Sequence, residues 1–162
     1  MDKKTAKKVV EKIFESPSHN IKIEFQGGEP LLNFEIIKYI IEKAEWINLL
    51  QKRNLEFVIC TNLTSINEKM LKWLRGHRIY ISTSIDGPKE LHNLNRPLYN
   101  IENSYDLVIE KINLCREYLG QDSVSALMTP LLPRDCIAWK KDNCNLYVPH
   151  DAIERQSGFC LN

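Results

Sequence analysis

The apolar positions of this chain change period repeatedly. Residues 4–15 place Ala6, Val9, Val10 and Ile13 at helical spacing with lysines on the other side, which predicts a short amphipathic helix. Ser16-Pro17-Ser18 stops it. Residues 21–25 alternate apolar and polar and predict a strand that runs straight into Gln26-Gly27-Gly28-Glu29-Pro30. Helical spacing returns from Asn33, the expected cap, to about Arg53, with Ile36, Ile37, Ile40, Ile41, Ala44 and Ile47 on one face. A second strand is predicted over 55–60, ending at Thr61-Asn62. Residues 67–74 read as a short helix closed near Gly76, and 78–84 as a third strand ending at Ile85-Asp86-Gly87-Pro88. A polar loop is expected from there to Asn100. Ser104 is the expected cap of a helix over 105–119, with Val108, Ile109, Ile112 and Cys115 inward, and 123–128 reads as a fourth strand.

Strand and helix thus alternate. Each crossover helix returns the chain to the same end, so the fold class is α/β with a parallel sheet and flanking helices. Handedness leaves two architectures, an open doubly wound sheet or a barrel-like one. In both, the loops after the strands share one rim, and ligands bind there. The unusual residues occupy those loops. Beyond Thr129 no period is sustained, and residues 130–162 hold three prolines and three cysteines. The expected organisation is one α/β core over 1–129 followed by an irregular segment over 130–162.

Composition narrows the function classes. The chain has 162 residues, 43% apolar and 27% charged, enough for one domain with a substantial core. Lys and Arg number 22 against 21 Asp and Glu, so no field of one sign draws nucleic acid or an anionic membrane. No apolar run is long enough to span a bilayer, and residues 1–15 lack the apolar centre of a secretion signal. The expectation is a cytoplasmic protein with no nucleic-acid or membrane partner. Five cysteines, an odd number, read as thiols rather than a disulfide framework. Cys60 and Cys115 sit within apolar patterns; Cys136, Cys144 and Cys160 lack the spacing of a metal site.

The rim residues carry the candidate chemistry. A Gly27-Gly28 pair lets backbone approach a ligand closely, and Glu29 sets a carboxylate beside it. An acid there repels phosphate, and both phosphate-loop fingerprints are absent. A cationic amine suits the turn better; the alternative is a tight turn with a solvated acid. Ser84 ends the third strand, and Arg96 offers a planar fork that matches a carboxylate. Glu29 for an ammonium, with Ser84 and Arg96 for a carboxylate, would grip an α-amino acid. Against this, Arg96 would make a surface pair with Asp86 or Glu90, Asp86-Gly87-Pro88 would be only a turn, and His92 would be a solvated loop histidine.

The ordered set Phe25-Gln26-Gly27-Gly28-Glu29-Pro30, Thr61-Asn62, and Ser84-Ile85-Asp86-Gly87-Pro88 with His92 and Arg96 resembles the radical SAM superfamily. Within it the chain is similar to the peptide and sulfatase maturases, and most similar to the radical SAM maturase of His-Xaa-Ser peptide systems. The resemblance covers about residues 3–129. It implies an incomplete radical SAM core, a partial (β/α)6 TIM-like barrel, with S-adenosylmethionine and a [4Fe–4S] cluster as cofactors. It further implies hydrogen abstraction from a peptide or protein substrate and a reductant such as flavodoxin or ferredoxin. By resemblance, Gly27, Gly28 and Glu29 hold the methionine amine and Ser84 and Arg96 its carboxylate. Asn62, with Thr61, and Asp86 line the adenosine side or support the loops.

The family's C-x₃-C-x₂-C cluster loop precedes the helix with which this sequence starts, and no cysteine precedes Cys60. The expectation is a fragment without its first barrel strand and without metal ligands of its own. Two functions follow: a maturase domain whose cluster comes from elsewhere, or a non-catalytic remnant or binding module for peptide or cofactor. A generic nucleotide-binding domain fits the element order but not the acid in the Gly-Gly turn.

Overall fold

The computed structural model describes residues 1–128. The expected irregular segment over 130–162, with Cys136, Cys144 and Cys160, lies outside them. Asp2 accepts the Thr5 N–H at 2.7 Å and starts helix α1, Lys3–Phe14, which buries Ala6, Val10 and Phe14. Strand β1, Asn20–Phe25, follows, with Ile21, Ile23 and Phe25 buried and the alternate positions exposed. A 3₁₀ turn over Pro30–Asn33 leads into α2, Phe34–Gln51, whose inward residues are Ile37, Ile40, Ile41 and Ala44. Asn33 stands at the cap position but makes no side-chain capping bond, contrary to expectation. The 3₁₀ turn leads directly into the helix, and the Asn33 amide donates instead to the Met1 carbonyl at 3.4 Å.

Strand β2, Asn54–Cys60, pairs parallel with β1, Ile21 opposite Leu55 and Phe25 opposite Ile59. Asn67 caps the short helix α3, Glu68–Leu74, and β3 is Ile79–Ser84. The expected polar loop then contains a helix, α4, Lys89–Asn95. Pro88 fixes the entry φ, and main-chain bonds from His92 to Pro88 and from Arg96 to His92, at 2.9 and 2.8 Å, form the turns. Only seven residues long and mostly polar, it leaves little periodic signal. Helix α5, Ser104–Leu119, begins one residue earlier than expected: Asn103 is its cap, accepting the Asp106 N–H at 3.1 Å. Ser104 Oγ donates to Asn93 at 3.0 Å instead. Strand β4, Val124–Leu127, comes last among the described residues.

The four strands form one sheet in the order β1-β2-β3-β4. This order decides between the two architectures left open by the sequence. A doubly wound sheet reverses direction at a switch point, whereas a barrel adds each strand beside the last. β1 agrees: its exposed Asn20, Lys22 and Glu24 share one face, while a doubly wound sheet covers both faces with helices.

The chain divides into two compact units, Met1–Thr61 with Ser65–Ile81, and Asn62–Thr64 with the residues from Ser82 onward. In the first, Ile41, Phe57, Ile59, Leu71, Leu74 and Ile81 are almost fully buried, and the Phe25 and Phe57 rings stack at 6.4 Å. In the second, Leu63, Ile85, Ile112, Cys115, Val124 and Ala126 are buried.

Candidate cofactor site

The predicted residues belong to both units. In the first, β1 ends at Phe25 and hands the chain to Gly27, whose φ of +130° favours glycine. Gly28 differs. Its φ lies outside the left-handed range, and a Cβ built on it meets no atom within 4 Å. Neither packing nor φ therefore requires a glycine there, and the space beside its backbone is open. Glu29 follows, half-buried, and its Oε1 accepts the Leu31 N–H at 3.0 Å and the Thr61 hydroxyl at 2.8 Å. These donors come from the 3₁₀ turn and the end of β2. They fix the carboxylate against the open backbone. Thr61 was expected to line the adenosine side or support the loops; its bond to Glu29 ties the end of β2 to the turn after β1.

In the second unit, Asn62 is exposed and its side-chain oxygen accepts from the Thr64 N–H and hydroxyl at 3.0 and 2.7 Å. This Asx-type turn shapes the loop after β2. Ser84 is half-buried at the end of β3. Two residues on, Asp86 is buried at 4% exposure and takes both of its oxygens to Arg96: Nε donates at 2.7 Å and Nη2 at 3.2 Å. The pair expected at the surface is instead a bidentate one with a buried carboxylate, and it engages two of the guanidinium's five N–H groups. Gly87, at φ +111°, turns the chain beneath Leu91, where a Cβ would approach Leu91 Cδ2 to 3.2 Å.

His92 departs most from expectation. It is 1% exposed, on α4, with its ring edge-on to Tyr105 at 5.7 Å. Nδ1 accepts the Asp86 N–H at 3.3 Å, and Nε2 is buried without a partner. Burial holds its pKa below the ordinary value; Asp86 opposes the shift and Arg96 adds to it. The neighbouring Asn93 accepts from Ser104 Oγ and the Tyr105 N–H, at 3.0 and 2.9 Å, and so docks α4 on α5.

Each unit by itself holds one group of the kind an α-amino acid headgroup needs, a carboxylate beside open glycine backbone in the first and a guanidinium in the second. A fixed carboxylate beside open glycine backbone suits an ammonium, and a guanidinium suits a carboxylate. For a cluster, the described residues contain no three His, Cys, Asp or Glu side chains gathered closely enough to hold a metal ion. Their cysteines are Cys60 and Cys115, and burial pushes the Cys115 thiol up to about 12. A three-thiolate cluster does not fit these residues.

The sheet order and the one-sided strand describe a β/α barrel-type domain. The model of the radical SAM superfamily matches residues 1–135, and the chain belongs to that superfamily. An uncharacterised protein of Methanocaldococcus jannaschii is 38% identical over 100 residues, covering 62% of this chain and 34% of the relative. The cysteine-type anaerobic sulfatase-maturating enzyme of Clostridium perfringens (strain 13 / Type A) is 35% identical over 92 residues, 54% of this chain and 24% of that protein. The radical SAM cyclopropyl synthase TigE of Paramaledivibacter caminithermalis is 29% identical over 85 residues, 52% and 17%. The matched stretch spans about a third or less of these relatives. Among solved structures, native anSMEcpe with bound AdoMet superposes with a TM-score of 0.75 at 23% identity, over 91% of this chain and 41% of that one. Its complex with AdoMet and the Cp18Cys peptide gives 0.76 at 22% identity, over 91% and 42%. These likenesses show the fold.

Among the described residues no helix is long and apolar enough to cross a membrane.

Proposed function

We propose that this chain is the S-adenosylmethionine-binding part of a radical SAM maturase that modifies a peptide or protein substrate. The observation that carries the reading is the Glu29 carboxylate, held by Leu31 and Thr61 beside the unfilled space at Gly28. In this reading Glu29 accepts from the ammonium of the methionyl group, and Gly27 and Gly28 admit it to the main chain. Ser84 Oγ and Arg96 donate to its carboxylate, while Asn62 and Asp86 hold their loops. Bound S-adenosylmethionine supplies the hydrogen-abstracting radical of the family's chemistry. A cluster would take its ligands from outside residues 1–128 and would draw its electron from a cytoplasmic reductant such as flavodoxin or ferredoxin. The sulfatase maturases and the peptide-bound neighbour support a peptide substrate. A second reading is a module that binds cofactor or peptide without its own cluster; the lack of a metal-binding group among the described residues accords with both.

Calorimetry with S-adenosylmethionine tests the binding reading. Glu29→Gln removes the charge that faces the ammonium and should weaken binding about tenfold. Gly28→Ala fills the open space and should weaken it by at least as much, with unchanged thermal stability. Wild-type affinity in both variants sinks the reading. Anaerobic reconstitution of the complex purified with its native partners then separates the two functions: iron uptake with reductive cleavage of S-adenosylmethionine belongs to the first, and binding without either belongs to the second.

A further inference from the structure

Within the second unit, the Asp86–Arg96 pair is supported by a group the proposed reading does not use. The Asp86 carboxylate clamps Arg96 through two N–H groups, at 2.7 and 3.2 Å, and its own backbone N–H donates to His92 Nδ1 at 3.3 Å. His92 also lies on the same α4 turn as Arg96: the Arg96 N–H donates to the His92 carbonyl at 2.8 Å. One residue therefore holds both members of the pair, Asp86 through its ring and Arg96 through its main chain.

The bond to Asp86 defines the ring's protonation state. A nitrogen that accepts an N–H carries no proton, so His92 is neutral and its proton sits on Nε2. Nε2 is buried and without a partner, at a residue 1% exposed. A buried donor left without an acceptor costs free energy, so packing alone would favour an apolar ring at this position. A leucine or phenylalanine would fill the space against Tyr105 without that cost, but neither can accept from Asp86. The acceptor function of Nδ1 is what distinguishes histidine from an apolar residue here.

We infer that His92 is a positioning residue for carboxylate recognition: its neutral Nδ1 fixes the Asp86 main chain, so that the Asp86 carboxylate presents Arg96 to the carboxylate of the ligand. His92 touches no ligand itself. The inference rests on the proposed reading only in naming the ligand; the His92–Asp86–Arg96 arrangement is testable without it.

The test has a ligand-free arm and a binding arm, both on the full chain. In the first, ¹⁵N NMR of the unliganded protein should show His92 with Nδ1 unprotonated and Nε2 protonated. The Arg96 Nε–H should exchange slowly with solvent. His92→Phe should abolish that protection, whereas His92→Asn, whose side-chain oxygen stands near the place of Nδ1, should retain much of it. A protonated Nδ1, or unchanged Arg96 protection in His92→Phe, overturns the inference whether or not the cofactor binds.

In the second arm, affinities are measured for S-adenosylmethionine and for its decarboxylated analogue. His92→Phe should weaken the first about tenfold and leave the second unchanged, with His92→Asn intermediate. Equal losses for both ligands mark a general packing role and overturn the inference. Arg96→Ala is the control for the underlying reading: if it does not discriminate between the ligands, the carboxylate assignment fails while the ligand-free result stands.

Discussion

At position 92 an imidazole occupies a setting that an apolar ring would fill at less cost, and this has a consequence for stability. The groups that face it are the Asp86 carboxylate, the Arg96 guanidinium and the Tyr105 ring. Burial is the largest influence and lowers the folded pKa below the ordinary 6.5; Arg96 acts in the same direction and Asp86 against it. Above 6.5 the group is neutral in both states, and the stability it contributes is fully present. As pH falls from 6.5 through the lower folded pKa, the unfolded chain takes up the proton first and that stability is lost. Urea unfolding from pH 8 to 5 should show this decline in the wild type and a shallower one in His92→Asn. Parallel profiles would show that His92 has no shifted pKa. Little of this was legible in the sequence, since a histidine in a polar stretch reads as solvated. Its burial follows from the docking of α4 on α5 by Asn93, a tertiary contact with no local signal. Gly27, Gly28, Glu29 and Arg96 were legible as unusual residues in strand-end loops. The partners of Glu29 and Arg96 were less so, because Thr61 is 32 residues from Glu29, and Asp86 was one of two acids in reach of Arg96.

Among the elements, those with an apolar period were recognised, the short α3 and β4 included, while α4 and the 3₁₀ turn at Pro30 were not. α2 and α5 bury stripes that the sequence displays, as does β1 with its strict alternation. α4 and the 3₁₀ turn at Pro30 bury too few residues to leave a pattern. The join between elements also escapes a linear reading, and Arg53 shows why. Nη1 donates to the carbonyls of Ser16 and, at 3.1 Å, Ser18, and Nη2 to that of Phe14 at 3.2 Å, with the guanidinium 5.8 Å from the Phe14 ring. Asn48 brackets the Arg53 main chain, accepting from its N–H at 2.8 Å and donating to its carbonyl at 2.9 Å. The last carbonyls of α1 lack intrahelical partners, and a cation is favoured beside them. Arg53 thus ties the end of α1 to the turn between α2 and β2. Arg53→Lys keeps the charge but loses the planar fork, and should destabilise the chain by about 1–2 kcal/mol in denaturant titration. An unchanged midpoint and slope would mean that the fork adds nothing beyond its charge.

For the whole molecule, the repeating strand–helix order specifies a parallel sheet but not its closure, because doubly wound and barrel sheets are built from the same unit. Strand order separates them, and it is set by which edge each crossover reaches rather than by any local pattern. The family was legible because its motifs are short and sit at strand ends in fixed order. The cluster raises a different question, since what the chain can load depends on all its thiols together. Cys115 is fully buried; burial pushes it up to about 12, with Lys111 opposing, so at neutral pH it is a thiol and not the thiolate that binds iron. Cys60 is partly exposed at the end of β2, and no metal-holding group forms around it among the described residues. One cysteine cannot supply the three thiolates of a cluster site. The double variant Cys60→Ala, Cys115→Ala should therefore take up as much iron per chain as the wild type after anaerobic reconstitution, whatever that amount is. In the native wild type, iodoacetamide at pH 8 should label Cys60 and spare Cys115 until denaturant is added. Rapid native labelling of Cys115 would mean that its thiol is not buried. Iron lost with the two thiols would mean that this part of the chain does contribute cluster ligands. The assignment of the cluster to residues outside 1–128 would then fail.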